Sequence, residues 1–431
     1  MSKFTRRDFI ALAGITGGAS ALGILGLSNQ VLAMGKSKAS VVIIGGGFGG
    51  ATAAKYIRMM DPNIQVTLIE REAKYHTCPF SNTVLAGINS IDYIAHSYNK
   101  LQSVHGINVI HDSAQAVDPV AKTVKLAGGK TVKYDRLIMS PGIDFKWGEI
   151  EGYDEAASLI MPHSWKAGSQ TLLLRKQLES MKDGGVFAIA PPANPFRCPP
   201  GPYERVSMVA HYLKKNKPKS KILILDAKEK FSKQGLFTQG WKKLYPGMIE
   251  WVSLSKGGAV KSIDTKNMML RTEFDSHKVD VANIIPPQKA GAIAFAAGLT
   301  NKHGWCPVNQ KTFESTVHSG IHIIGDSSIA GKMPKSGFSA NSQGKVCAAA
   351  VVAMLNGKEV DDPSFINTCY SLVGPIYGIS VAAVYQLENG SIAKVKGSGG
   401  VTPSDASKRD LYKEAKFAEG WYKNITSDIF G

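Results

Sequence analysis

The sequence predicts an α/β protein made of two Rossmann-like units and a smaller C-terminal part. Three observations carry this expectation: a strand, glycine-rich turn, helix and strand in order from Val41; a second strand–helix–strand run from Gly184; and the end of that alternation at about residue 364. The 431 residues, 44% apolar and 20% charged, leave room for two or three domains at ~100–200 residues each. The apolar fraction, the absence of a G-X-Y period and only five cysteines exclude a disordered chain, a collagen and a disulfide-knot scaffold. Outside the N-terminus no apolar run approaches the ~20 residues that a membrane-spanning helix needs, so no transmembrane anchor is expected.

The first segment reads as an export signal. Thr5-Arg6-Arg7-Asp8-Phe9-Ile10 presents paired arginines, a mildly apolar stretch rich in Gly and Ala runs from Ala11 to Leu27, and Val31-Leu32-Ala33 supplies a cleavage pattern. Basic, apolar, small is the secretory order, and the twin arginine points to the twin-arginine route. Residues 1–33 are therefore expected to be removed and the mature protein to be periplasmic. That route carries folded proteins, so a cofactor can be loaded beforehand. The formal net charge of +17 suits an anionic substrate or an acidic partner surface; export removes nucleic acid from consideration. The basic run Lys214-Lys215-Asn216-Lys217-Pro218-Lys219 falls between a helix and a strand and reads as a solvated turn.

Val41-Val42-Ile43-Ile44 is the first strand, the turn follows to Gly50, and Ala51 to Met60 is the helix. Asp61-Pro62-Asn63 stops it, and Val66-Thr67-Leu68-Ile69 is the next strand, ending at Glu70. Gly45, Gly47 and Gly50 satisfy G-x-G-x-x-G: the first permits the tight turn, the second lets backbone approach a pyrophosphate, and the third lets helix and strand pack closely. Amides of the helix N-terminus face the phosphates, and Glu70 is placed to hold a ribose. FAD and NAD share this fingerprint. Two further segments, Tyr134-Asp135-Arg136-Leu137-Ile138-Met139-Ser140-Pro141-Gly142 and Gly320-Ile321-His322-Ile323-Ile324-Gly325-Asp326, resemble parts of the pyridine nucleotide-disulfide oxidoreductase superfamily, whose fold is glutathione-reductase-like. In that superfamily the first segment returns the chain from the FAD domain, and the Gly-Asp carboxylate binds the ribityl chain. The resemblance implies FAD at the N-terminal site and gives that role to Asp326.

The second unit reads as a strand over Gly184 to Ala190, a helix over Tyr203 to Lys215 and a strand over Lys221 to Asp226. The superfamily normally binds NAD(P)H there through a second glycine fingerprint. Here the connection is Pro191-Pro192-Ala193-Asn194-Pro195-Phe196-Arg197-Cys198-Pro199-Pro200-Gly201-Pro202, with six prolines and one glycine. Proline has no N–H to donate and fixes φ, so no pyrophosphate turn is expected and electrons must enter and leave another way. Beyond residue 364 no βα pattern is clear; a Gly/Ser/Pro-rich stretch from Lys396 to Ser407 leads to a final polar helix with Trp421 and Tyr422.

An odd cysteine count in an exported chain gives at least one cysteine a role outside a disulfide. Cys347 sits in an Ala/Val-rich helix and reads as core; Cys306 has no partner spacing. Cys198 lies in the proline loop and Cys369 171 positions later, and spacing alone does not pair them. No C-x-x-C-H occurs, so this chain attaches no c-type haem itself, and no His or Cys cluster has metal-ligand spacing.

Tyr75-His76-Thr77-Cys78-Pro79, Pro195-Phe196-Arg197-Cys198-Pro199-Pro200-Gly201-Pro202-Tyr203-Glu204, Pro334-Lys335-Ser336-Gly337 and Asn367-Thr368-Cys369-Tyr370 resemble the flavoprotein subunit of flavocytochrome c sulfide dehydrogenase, in order and along essentially the whole mature chain. The resemblance implies a thioether from Cys78 to the FAD 8α-methyl, a redox disulfide of Cys198 and Cys369 beside the flavin, Glu204 as an acid near that disulfide, and Trp421 as an aromatic near the flavin. Lys335 and Gly337 join Gly45, Gly47, Gly50, Glu70 and Asp326 as cofactor-binding candidates. It further implies a heterodimer with a c-type cytochrome subunit that alone carries haem, and sulfide as substrate. The expected organisation is a discontinuous FAD domain over 37–150 and 290–363, a second Rossmann-like domain over 151–289 without a nicotinamide fingerprint, and a C-terminal flavin-covering and partner-docking domain over 364–431. Sulfide:quinone oxidoreductases share parts of this pattern, and quinone reduction or a non-catalytic sulfur carrier are the alternatives.

Overall fold

The computed structural model describes residues 39–431; the expected export signal lies outside the described residues. In the first unit β1 (Ala39–Ile44), α1 (Phe48–Met60) and β2 (Ile64–Ile69) follow one another, then β3 (Asn108–Ile110) and β4 (Arg136–Met139). The second unit holds β5 (Val186–Ala190), α2 (Gly201–Asn216), β6 (Lys221–Leu225), α3 (Gln234–Leu244), β7 (Ile249–Val252) and β8 (Val281–Ile284). The chain then returns through β9 (Ile321–Ile323) to α4 (Gly337–Leu355). It ends with β10 (Ser364–Gly374), β11 (Tyr377–Glu388), β12 (Ser391–Lys394), β13 (Gly400–Val401) and α5 (Lys408–Phe430).

The first sheet runs β9-β4-β1-β2-β3 and the second β7-β6-β5-β8, both parallel throughout. Strands covered on both faces need unbroken apolar runs, and Val41, Val42, Ile43, Leu68, Leu137, Ile138 and Met139 are all buried. Joining β9 to the first sheet brings the Gly325-Asp326 turn to the carboxyl ends of β1 and β4, where open α/β sheets bind ligands. Helix α1 packs on α4, so two helix N-termini open on the same end of the sheet.

The C-terminal part differs from its sequence reading. It is an antiparallel sheet in which β10 pairs along β11, and β12 and β13 also pair with β11. The alternation in β10 is hidden because its buried positions are partly polar: Asn367, Thr368 and Ser371 lie inside, with the Ser336 hydroxyl donating to Asn367 Oδ1 at 2.6 Å. The final helix α5 is N-capped by Ser407 and buries Leu411, Ala415, Ala418, Tyr422, Ile425 and Ile429. Strand β10 packs against α2 and α4, and α5 against β11 and α1. This layer therefore touches both parallel-sheet units, and it sets Cys369 beside the start of α2.

Candidate active site

The glycine turn is at backbone contact. Gly45 has φ +96°, and a Cβ there would sit 2.3 Å from the Ser140 carbonyl oxygen. A Cβ on Gly50 would lie 1.9 Å from the Gly45 carbonyl oxygen, so no side chain fits between turn and helix. Gly47 is the N-cap of α1. Glu70 accepts from the Gly46 amide at 2.8 Å and from the Glu72 amide at 3.0 Å, which braces the turn with a carboxylate at its rim.

At the other end of the cleft, the Gly325 amide donates to Gln343 Oε1 at 2.8 Å, and this fixes the turn that carries Asp326. The Asp326 carboxyl is buried with no partner on Oδ1. Burial pushes its pKa up, and the charges of Arg197 and Lys335 oppose that rise. Lys335 donates to the carbonyls of Asp326 and Ser328 at 2.7 and 2.9 Å and lies 3.9 Å from the Trp305 ring; burial lowers its ammonium to about 8. Gly337 is the first residue of α4, and the preceding Ser336 hydroxyl caps it. Phe196, Pro199, Trp305, Asp326, Lys335 and Ser336 line a cavity of about 440 Å³. Trp421 packs near Phe338 and Tyr370, its buried Nε1 also without a partner. An unmet buried polar group costs ~1–3 kcal/mol, and the hydroxyls of a ribityl chain are the donors that Asp326 lacks. A bare backbone turn for phosphates, a rim carboxylate for a ribose and an unmet buried acid together fit FAD.

Three cysteines converge beyond that cleft. Cys78 Sγ donates to the Trp165 carbonyl at 3.6 Å, in a loop whose Thr77 hydroxyl hydrogen-bonds Tyr422 at 2.7 Å. Cys198 holds a left-handed backbone (φ +57°) and donates its amide to the Lys335 carbonyl at 2.8 Å, so the proline loop is pinned to the flavin cleft. A non-glycine residue in that region stores ~1–3 kcal/mol. Cys369 arrives on β10. The side chains of Cys198 and Cys369 hydrogen-bond each other, and both are free thiols here. That bond, aided by Lys233 and resisted by burial and Glu204, brings Cys369 down to about 7. The same bond, with burial, raises Cys198 well above the ordinary thiol range. The other two cysteines, Cys306 and Cys347, are fully buried, and burial lifts Cys306 to about 12.

Glu204, in the first turn of α2, accepts from Asn82 Nδ2 at 2.9 Å and from the Leu372 amide at 2.8 Å. Burial nevertheless pushes its carboxyl above the usual range. The sequence reading missed several residues here. Arg205 donates to Asn82, His163, Ser164 and Asn283, and Lys233 donates to the Cys369 carbonyl at 3.0 Å and to Ser371 Oγ at 2.8 Å. Neither stands in a recognisable motif; only the fold brings them to the cysteines. Arg197 stands in the proline loop beside Cys198, yet its burial next to Cys78 and Asp326 is not visible from its neighbours in sequence. Among the described residues no group of three His, Cys, Asp or Glu could hold a metal ion, and no helix is long and apolar enough to cross a membrane.

The second unit repeats the architecture of the first with its crevice filled. Asp226 follows β6 as Glu70 follows β2. It accepts from Tyr203 at 2.6 Å, Trp251 Nε1 at 3.0 Å and Lys228 at 2.6 Å. Lys228 also donates to the Pro192 carbonyl at 2.8 Å, and the Tyr203 and Phe231 rings stack with centroids 3.7 Å apart. The acid that would face a ribose in a nicotinamide site is held by its own neighbours.

Known proteins divide along the same lines. Residues 39–170 match the pyridine nucleotide-disulphide oxidoreductase family, residues 171–286 the central part of the sulfide dehydrogenase [flavocytochrome c] flavoprotein chain, and residues 361–430 the flavocytochrome c sulphide dehydrogenase flavin-binding family. A sulfide dehydrogenase [flavocytochrome c] flavoprotein chain from Chlorobaculum thiosulfatiphilum is 61% identical over 44 residues, 10% of this chain and 92% of that one. The chain belongs to the flavocytochrome c sulfide dehydrogenase flavoprotein family. A sulfide-quinone reductase from Aquifex aeolicus is 31% identical over 120 residues, 28% of each chain. The solved sulfide:quinone oxidoreductase of that organism shares the fold with TM-score 0.72 at 20% identity, over 90% of this chain and 92% of that one. A member of the sulfide dehydrogenase flavoprotein family is an FAD-binding oxidoreductase with two parallel-sheet units of the pyridine nucleotide-disulfide oxidoreductase type, the architecture expected from the sequence.

Proposed function

We propose that the protein oxidises sulfide in the periplasm to elemental sulfur or polysulfide, through a Cys198–Cys369 disulfide and FAD tethered to Cys78, and passes electrons to a c-type cytochrome subunit that carries the haem. The observation that carries this reading is the pairing of Cys198 with Cys369 beside the FAD cleft and next to a buried acid.

Gly45, Gly47 and Gly50 would offer backbone to the FAD pyrophosphate, Glu70 would hold a ribose, Asp326 would accept from the ribityl hydroxyls, and Lys335, Gly337 and Trp421 would complete the site. FAD bound there supplies a two-electron acceptor that gives electrons up singly, as haem acceptors require. With the cysteines oxidised, hydrosulfide attacks one sulfur of the pair by ordinary thiol–disulfide exchange; a persulfide forms on one cysteine and a thiolate is released on the other. Glu204, pushed up by burial, takes the proton from H₂S or a thiol. The Asn82 and Leu372 donors fix its two oxygens, one each. A thioether at Cys78 would keep FAD attached in a compartment where lost cofactor is not readily replaced.

The quinone reading is supported by the 31% identity to a sulfide-quinone reductase over 28% of each chain. It requires an apolar membrane-docking face, and the outer side of α5 exposes Lys413, Lys416 and Lys423 among its aromatics. The acceptor separates the two readings. With sulfide under anaerobic conditions, the purified protein should reduce a c-type cytochrome and leave a ubiquinone analogue oxidised, and haem should co-elute with flavin from the native source. Preferential quinone reduction would transfer the protein to the alternative.

A further inference from the structure

The two sulfurs of the cysteine pair stand in unlike surroundings. Cys198 precedes α2, a place where helix amides usually favour a thiolate. Here that help is missing. Pro199, Pro200 and Pro202 have no N–H; the Cys198 amide donates to Lys335, the Gly201 amide to Cys198's own carbonyl at 2.8 Å, and the Tyr203 and Glu204 amides to Pro200 at 3.2 and 3.1 Å. Every amide from Cys198 to Glu204 is absent or engaged away from the sulfur, and the Glu204 carboxylate faces the same spot. Cys369 has an ammonium at its own peptide: Lys233 bonds its carbonyl and Ser371 Oγ. Lys233 reaches there from the N-cap position of α3, in a left-handed conformation (φ +59°), so its backbone, like that of Cys198, is held in a costly state at the pair.

We propose that Lys233 is a positioning residue of the cysteine pair: its ammonium, held nearest to Cys369, makes Cys369 the sulfur that leaves and Cys198 the sulfur that hydrosulfide attacks. This rests on the disulfide reading above. In the step, HS⁻ bonds to Cys198 Sγ, the Cys198–Cys369 bond breaks, and Cys369 departs with the bonding pair as a thiolate. Cys198 then carries a persulfide; the sulfide sulfur has been oxidised by the two electrons with which the disulfide is reduced, and no other co-reactant enters. A low-pKa leaving thiol leaves faster, and the ammonium compensates the new charge.

Other charged groups face the pair. Glu204 lies near both sulfurs and opposes a thiolate on either. Cys78 also opposes one on Cys198, while Arg205 and Arg197 favour it. The Arg205 fork is fully engaged with Asn82, Asn283 and two carbonyls, and Arg197 donates to the Trp165 carbonyl, with Cys78 and Asp326 as its stronger charge partners. Cys369, Glu204, Cys198 and Glu414 face Lys233 itself, Cys369 most strongly; burial lowers the ammonium while these four groups hold its proton.

The test uses the reduced, FAD-loaded full chain and iodoacetamide, with labelled peptides read by mass spectrometry across pH. Wild type should label at Cys369 before Cys198, with a Cys369 midpoint near neutral pH. Lys233→Met should move that midpoint up by about one unit or more, which is about tenfold slower labelling at pH 7; Lys233→Arg should restore it. A single addition of sulfide to oxidised protein should place the persulfide mass on the Cys198 peptide. Labelling of Cys198 first, a persulfide on Cys369, or an unmoved profile in Lys233→Met would overturn the proposal. Wild-type labelling order and the persulfide position judge which sulfur leaves. Lys233→Gln, which keeps a donor without the charge, should shift the midpoint as Lys233→Met does and judges the ammonium if the methionine variant does not fold. The labelling arm needs no sulfide, so a protein that sulfide leaves unchanged would sink the functional reading while Lys233 is still judged on its own.

Discussion

At the scale of residues, chemistry rests on side chains whose ordinary properties the fold has moved. Glu204 is the clearest case: burial raises its carboxyl, so its basic form is present only above that raised value, and sulfide oxidation should fall as pH drops through it. The acid limb of the pH–rate profile should therefore stand above the ~4.3 of an ordinary glutamate. Glu204→Gln should remove that limb and slow flavin reduction by ~10²–10⁴-fold, the range of general base catalysis; a variant with unchanged rate and profile would take Glu204 out of the mechanism. Cys78 makes a second prediction. Denatured protein should weigh one FAD more than the processed chain, whereas an apo-chain mass with yellow supernatant would remove the tether. Cys78, Cys198 and Cys369 are legible in the sequence because each stands in a short motif that resembles the sulfide dehydrogenase flavoprotein family. Lys233 and Asn82 are not, because their contacts with Cys369 and Glu204 span 136 and 122 positions and no local pattern announces them.

At the scale of elements, the first βαβ unit is readable because its constraint is local: Gly50 must clear the Gly45 carbonyl, and only glycine does. The C-terminal hairpin is not readable, since Asn367, Thr368 and Ser371 are buried by hydrogen bonding rather than by apolar character. The second unit lies between these cases. Its proline loop argues against a nicotinamide site, while the Asp226–Lys228–Tyr203–Trp251 network that fills the crevice is visible only in three dimensions. Both observations lead to one expectation: excess NADH, mixed anaerobically, should leave the oxidised flavin spectrum unchanged during the time in which sulfide bleaches it. Rapid bleaching by NADH would overturn the inference that the second unit holds no nicotinamide site.

At the scale of the whole molecule, two parallel-sheet units and one antiparallel layer meet at one point. The first parallel sheet supplies the FAD cleft, the second delivers Cys198 on the proline loop, and the antiparallel layer delivers Cys369 and Trp421. None of the three holds the pair alone, which is why family likeness could name the cysteine pairing while spacing in the sequence left it open. The central claim is that sulfide electrons pass through this pair. Its most direct measurement is anaerobic stopped-flow absorbance of the oxidised, FAD-loaded protein against sulfide, in wild type and Cys369→Ser, with dithionite as a reductant that needs no cysteine. Sulfide should bleach the flavin of wild type and leave that of Cys369→Ser oxidised, while dithionite bleaches both. If sulfide bleaches the two proteins at the same rate, the cysteine pair is not the route and the account is wrong.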